Sequence, residues 1–230
     1  MEIAPAVNGR GVQGGNHGRP RASAPGWLVL RHAAFGLAGY GWPVIRGTYF
    51  DGLAWRGRPD AVGLCPVDED WATARTASST EIGQWWDAAP YSVLLACGRG
   101  VDCLELPGLA GSRPTVAALR RAGLSPPVMV TPEGPLALFV RTPGCGRAPF
   151  LVSASVRSAG TWVAMPPTSQ ACGYQGGGEG QGYQWAPGCS PGQLRRQPDR
   201  VLPELTAVAE AITATVSVSA GGDAAERLGR

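Results

Sequence analysis

The apolar positions along this chain change period several times, and each change marks an element. From Trp27 to Tyr40, the residues Trp27, Leu28, Leu30, Ala34, Leu37 and Ala38 approximate a helical stripe, and Gly39 with Gly41 supplies the stop. Trp42-Pro43-Val44-Ile45 then reads as a short strand, its proline suited to a first residue or an edge. Residues 46–75 show no period around Trp55 and Trp71 and are predicted to be a long surface loop. Ser79 or Thr80 caps a helix carrying Ile82, Trp85 and Trp86 that ends before Pro90. Tyr91 to Ala96 and Val101 to Leu106 are apolar segments separated by Cys97-Gly98-Arg99-Gly100, the pattern of a hairpin with a glycine turn.

A helix is expected from about Pro114 to Ala122, closed by Gly123. Val128 to Thr131 and Leu136 to Arg141 form a second strand pair around Pro132-Glu133-Gly134-Pro135, and Phe150 to Val156 and Thr161 to Ala164 add two strands. Residues 171–188 are Gly/Gln-rich, and 201–215 read as a last amphipathic helix. The resulting expectation is an α+β fold, a mostly antiparallel sheet with flanking helices, over residues 26–215. Residues 1–25, which lack hydrophobic periodicity, are expected to form a flexible leader, and 216–230 a disordered tail.

Composition narrows this picture modestly. The 34 Gly and 21 Pro fit a loop-rich fold, and the eight Trp argue for a folded core. All twenty basic residues are Arg, yet the formal charge is only +3, so bulk charge does not imply a nucleic-acid-binding polycation. The pairs Arg120-Arg121 and Arg195-Arg196 read most simply as solvated surface. The six cysteines are scattered without a Cys-x-x-Cys or Cys/His pairing, so they are expected to be free thiols. No apolar run approaches ~20 residues, which leads to the expectation of a soluble, cytoplasmic protein without membrane contact.

Several blocks occur in a telling order: Ala33-Ala34-Phe35-Gly36-Leu37 leading into Tyr40-Gly41-Trp42-Pro43-Val44; Trp71, then Glu81-Ile82-Gly83-Gln84-Trp85-Trp86 and Pro90; Leu94-Leu95-Ala96-Cys97-Gly98 running into Val101 to Pro107; Thr131-Pro132-Glu133-Gly134; and Trp162 to Ser169 ahead of Tyr183-Gln184-Trp185. In this order they resemble the N-terminal domain of the bifunctional DNA primase/polymerases, of the archaeo-eukaryotic primase superfamily. The resemblance implies an RRM-like primase-polymerase core and metal-dependent nucleotidyl transfer from NTP or dNTP during DNA replication. Implied cofactors are Mg2+ or Mn2+, and implied partners are single-stranded or primed DNA, nucleoside triphosphates and a separate helicase.

In such domains, two acids alternating along the third block's strand hold the metal ions, because alternate residues share a face. Here Glu105 takes the first acidic position and Pro107 the second, which removes a ligand. Glu105 is thus the candidate metal ligand and catalytic residue, with Asp102 as a possible helper. Asp102 lies three residues away, on the opposite face of a regular strand unless a bulge at Gly100 changes the parity. The nucleotide-contacting histidine of the resemblance falls at Ala137; the chain's histidines are His17 and His32, in neither case at a recognisable site. With no lysine, phosphate contacts would fall to Arg99, Arg120 and Arg141. Glu133 and Asp70 are the remaining acids near matched blocks. The alternative to an enzyme is a catalytically inactive descendant that serves as a DNA-binding or protein-interaction module. A third reading, a hydrolase or redox protein using a cysteine, lacks a neighbouring histidine.

Overall fold

The computed structural model describes residues 24–106, 109–142, 154–169, 182–194 and 202–213. The expectations placed on residues 1–23 of the leader, the C-terminal tail, Pro107, most of the Gly/Gln-rich stretch and Phe150 to Ser153 lie outside those residues, whereas Ala24 and Pro25, expected in the leader, already belong to the first helix. The helices are α1 (Ala24–Ala38), α2 (Trp71–Ala74), α3 (Ser79–Ala88), α4 (Leu109–Arg121), α5 (Pro191–Leu194) and α6, over 205–213. The strands are β1 (Val44–Gly47), β2 (Tyr49–Phe50), β3 (Trp55–Arg56), β4 (Ser92–Ala96), β5 (Asp102–Leu106), β6 (Val128–Val130), β7 (Leu136–Val140), β8 (Ser155–Arg157), β9 (Trp162–Ala164) and β10 (Gln184–Trp185). Among the described residues every strand ladder is antiparallel, a single bridge between Arg141 and Glu204 being parallel, and the α+β class expected from the sequence is the class observed.

The strands divide into two main sheets, one of three strands in the order β1-β4-β9 and one of five in the order β10-β6-β7-β5-β8. This corrects one expectation. Segments 91–96 and 101–106 do not form a hairpin: β4 pairs with β1 and β9, whereas β5 pairs with β7 and β8. The physical reason lies in the turn between them. Gly98 (φ 96°) and Gly100 (φ 84°) both adopt left-handed backbone, and the tight bond from Gly98 N–H to the Val101 carbonyl redirects the chain as a corner into the other sheet. The β6–β7 hairpin, by contrast, forms as its Pro-Glu-Gly-Pro turn predicts, with Gly134 at φ 98°.

Further differences follow from tertiary packing. The loop over 46–75 is not structureless, since it contains the β2–β3 hairpin and α2. Arg46 holds it down: its guanidinium bonds both Asp68 carboxylate oxygens, at 2.7 and 3.0 Å, and lies 5.0 Å from the Trp85 ring centroid and 5.5 Å from that of Tyr91. Helix α4 begins earlier than Pro114, at Leu109.

Alternation along β5 and β7 separates two cores. Cys103, Ala137 and Phe139 join Trp42, Ile82, Trp86 and Leu95 between the sheets, whereas Leu104, Leu106, Leu136 and Leu138 face Leu119 of α4 and Leu205, Val208 and Ile212 of α6. Phe139 is the joint of the first core, its ring centroid 5.3 Å from Trp42 and 5.7 Å from Trp185. The face of the three-stranded sheet opposite Val44, Val93 and Leu95 carries Ile45, Leu94, Ala96 and Ala164, against which Leu64, Trp71, Trp162 and Tyr183 pack while remaining partly exposed.

The corner between the sheets generates a stability prediction. A Cβ on Gly98 would lie 2.3 Å from Ala159 Cα, whereas one on Gly100 would meet nothing within 4 Å. Gly100→Ala should cost about 1–2 kcal/mol from its backbone conformation alone. Gly98→Ala adds a collision with backbone and should cost at least about 2 kcal/mol more. Urea denaturation of the two variants measures the difference, and equal midpoints would refute the corner's role.

Candidate functional site

A cleft of about 620 Å3 opens where the sheets diverge. Its walls are Trp71 of α2, Glu105 of β5, the β6–β7 turn through Thr131, Glu133 and Pro135, Arg157 of β8, the segment Gly160 to Ala164, and Tyr183 ahead of β10. The volume falls within the range of small-ligand sites.

Glu105 reaches this cleft through strand parity. It sits directly opposite Ala137 of β7 and Ser155 of β8, on the face that Cys103 shares. Arg157, opposite Cys103, is the diagonal neighbour of Glu105, within reach of a long side chain. The guanidinium Nε of Arg157 donates to Glu105 Oε1 at 2.7 Å, and the Ser155 hydroxyl donates to Glu105 Oε2 at 3.2 Å. Both carboxylate oxygens therefore already have a donor. The pairing raises the pKa of Arg157 above its ordinary value, chiefly through the hydrogen bond to Glu105.

Asp102 is placed differently. The β5–β7 ladder runs unbroken from Asp102↔Val140 to Leu106↔Leu136, so no bulge shifts the parity and Asp102 projects from the face opposite Glu105. Asp102 is fully buried, accepting from Gly98 N–H at 2.9 Å, the Thr142 hydroxyl at 3.1 Å and the Ser158 hydroxyl at 3.0 Å. Its partners belong to the β4–β5 corner, the end of β7 and the β8–β9 loop, and it does not line the cleft.

The arginines proposed for phosphate are not gathered at the cleft. Arg99 is exposed on the corner, Arg120 is exposed near the end of α4 with a guanidinium nitrogen 3.9 Å from Cys189 Sγ, and Arg141 pairs with Glu204 at 3.1 Å. Asp70 precedes α2, where its carboxyl accepts from the Thr73 hydroxyl at 2.8 Å. Glu133 does line the cleft, and Ala137, the position of the family histidine, is buried beside Glu105. His32 lies with Leu28, Val29, Arg31 and Phe35 in a shallow groove on α1.

Sequence reasoning missed Arg157, Ser155 and the cleft-lining Trp162. The alternation Ser155-x-Arg157 was available as a signal, but the neighbour of β5 is not encoded locally. Thr131 is another residue whose role emerges only here. Only 9 % exposed and lining the cleft, it has a hydroxyl without a hydrogen-bond partner among the described residues.

The scaffold is an antiparallel α+β domain whose cleft carries one strand-borne acid, Glu105, and is lined by the Thr131-Pro132-Glu133-Gly134 turn. The family model described as bifunctional DNA primase/polymerase, N-terminal, matches residues 34–205, and the chain belongs to that family. No curated protein matches it. The chain thus contains a DNA primase/polymerase-like domain, and no helix among the described residues is long and apolar enough to cross a membrane.

Members of this family are typically metal-dependent, which poses a test of fit for this donor set. Among the described residues no group of three or more His, Cys, Asp or Glu side chains could hold a metal ion. Glu105 would have to exchange a guanidinium for the ion, Asp102 faces away, and Ala137 offers no ligand. The described residues do not fit a pair of divalent cations.

The two cysteines flanking the β4–β5 corner, Cys97 and Cys103, offer no substitute nucleophile. Burial pushes the Cys97 thiol up to about 12 and raises that of Cys103 well above its usual value. The reactive thiolate is then negligible at neutral pH. At pH 8 the native protein should leave Cys97 and Cys103 unmodified by iodoacetamide over a period that labels both after unfolding, as peptide mass spectrometry would show.

The two acids of β5 should also separate by stability. Asp102→Ala removes the acceptor of the Thr142 and Ser158 hydroxyls and leaves the Gly98 amide with the Val101 carbonyl alone, and should cost about 3 kcal/mol or more. Glu105→Ala breaks a partly exposed pair, with side chains 25 % and 47 % exposed, and should cost about 1 kcal/mol or less. Thermal denaturation measures both, and comparable losses would count against the structural assignment of Asp102.

Proposed function

We propose that this domain is a non-catalytic member of its family that acts by binding nucleic acid. The observation carrying this reading is the engagement of both Glu105 oxygens by Arg157 and Ser155 on the strand that would hold the metal ions. A carboxylate already neutralised by a guanidinium at 2.7 Å is a poor partner for a hydrated dication, and the second acidic position is occupied by Pro107. What remains is the scaffold, the cleft between its sheets and the aromatic residues along it, which suit a binding module.

A primer-extension and primer-synthesis assay with Mg2+ or Mn2+, run on wild type and Glu105→Ala, tests the proposal. We expect no incorporation above background from either protein. Incorporation by the wild type that disappears in Glu105→Ala would establish the enzyme instead.

A further inference from the structure

The disagreement between the donor set and a metal site has a counterpart in what the cleft can accept. Its lining contains two carboxylates, Glu105 and Glu133, and one guanidinium, Arg157, for a formal balance of −1. Arg157 is already committed to Glu105. A triphosphate entering without its cations would therefore meet no uncommitted positive charge along this wall and one additional carboxylate.

The same walls suit a neutral planar group. Trp71 and Trp162 stand partly exposed on the cluster of Ile45, Leu94, Ala96 and Ala164, from different elements, and both line the cleft together with Tyr183. Aromatic side chains supported from behind on a rigid sheet form platforms on which nucleobases stack, independently of sequence. Glu133 lines the same cleft with an exposed carboxylate, which can accept from a base edge, whereas the Thr131 hydroxyl is buried in the wall.

We infer that the cleft receives an unstacked base of a single DNA strand, held against Trp71 and Trp162 with its phosphates left outside, and that it does so without a divalent cation. This rests on the reading of the domain as a nucleic-acid binder. It specifies a contact made by bases, where bulk electrostatics would predict one made by phosphates. Affinity should accordingly depend weakly on salt, with a log–log slope no steeper than about −1.5, corresponding to about two phosphates.

Fluorescence anisotropy of a labelled oligothymidylate in EDTA tests the inference, alongside an abasic strand of equal length and free thymidine as competitor. The oligothymidylate should bind, the abasic strand should bind about tenfold more weakly or worse, and thymidine should compete poorly. Trp71→Ala should lose about tenfold and Trp71→Phe should recover most of it. Trp71 sits on the four-residue helix α2, so its variants hold the test if Trp162→Ala fails to fold. Equal binding of the abasic strand, or indifference to Trp71→Ala, would overturn the inference in favour of a phosphate contact. Thymidine competing as well as the strand would overturn the strand as the source of the base. Absence of binding by any probe would also overturn it, while leaving the absence of catalysis to be decided by primer extension. Conversely, incorporation in that assay would overturn the non-catalytic reading without altering the metal-free measurement.

Discussion

The buried carboxyl of Asp102 is the constraint from which the architecture follows. It ties the Gly98 amide, the Ser158 hydroxyl and the Thr142 hydroxyl into one knot. Those three groups lie at the β4–β5 corner, in the β8–β9 loop and just past β7, three places where the chain passes between sheets or leaves one. A buried polar group of this kind is stable only with its partners in place, so the corner and the loop are fixed relative to one another. Gly98 completes the arrangement by letting Ala159 approach to a distance no side chain would permit.

That knot also decides where the cleft lies. With β4 and β5 committed to different sheets, their strands diverge. The space between them is bounded by whatever follows the β8–β9 crossover, namely Gly160 to Ala164, and by the β6–β7 turn. Regular alternation then sends Asp102 to the side of Leu104 and Leu106 and Glu105 to the cleft. One strand thus carries a structural acid and a site acid, distinguished by parity alone.

Much of this was legible in the chain. The strands around Leu94 and Leu104, the hairpin turn at Glu133-Gly134 and the Trp85-Trp86 helix are set by local period and turn chemistry, and all appear where those signals place them. The family was legible because its blocks are local and ordered. What escaped was pairing. Cys97-Gly98-Arg99-Gly100 has the composition of a hairpin turn, but whether two flanking strands zip together or part company depends on what else competes for their edges. Here β1 and β9 take β4, and β7 and β8 take β5. Arg157 was invisible for the same reason, since its meaning comes from β8 lying alongside β5, a contact about fifty residues distant in the chain. The parity of Asp102 could be stated from the sequence as a condition, and it required the unbroken ladder to resolve it.

The Glu105–Arg157 pair makes physical sense of a site with a single acid on its central strand. A lone carboxylate on the wall of a partly apolar cleft is costly unless a counter-charge sits close to it. Two divalent cations would supply far more positive charge than one carboxylate can balance, whereas one guanidinium matches it one to one. The side chain of Arg157, anchored on the adjacent strand, supplies that match with no ion to recruit. Ala137 fits the same logic. Directly across from Glu105, a small buried residue leaves the pair undisturbed, whereas an imidazole there would compete for the carboxylate and enter a core already occupied by Met129 and Phe139. The pair and the alanine are therefore mutually consistent, and together they describe a strand-borne acid balanced by an internal cation.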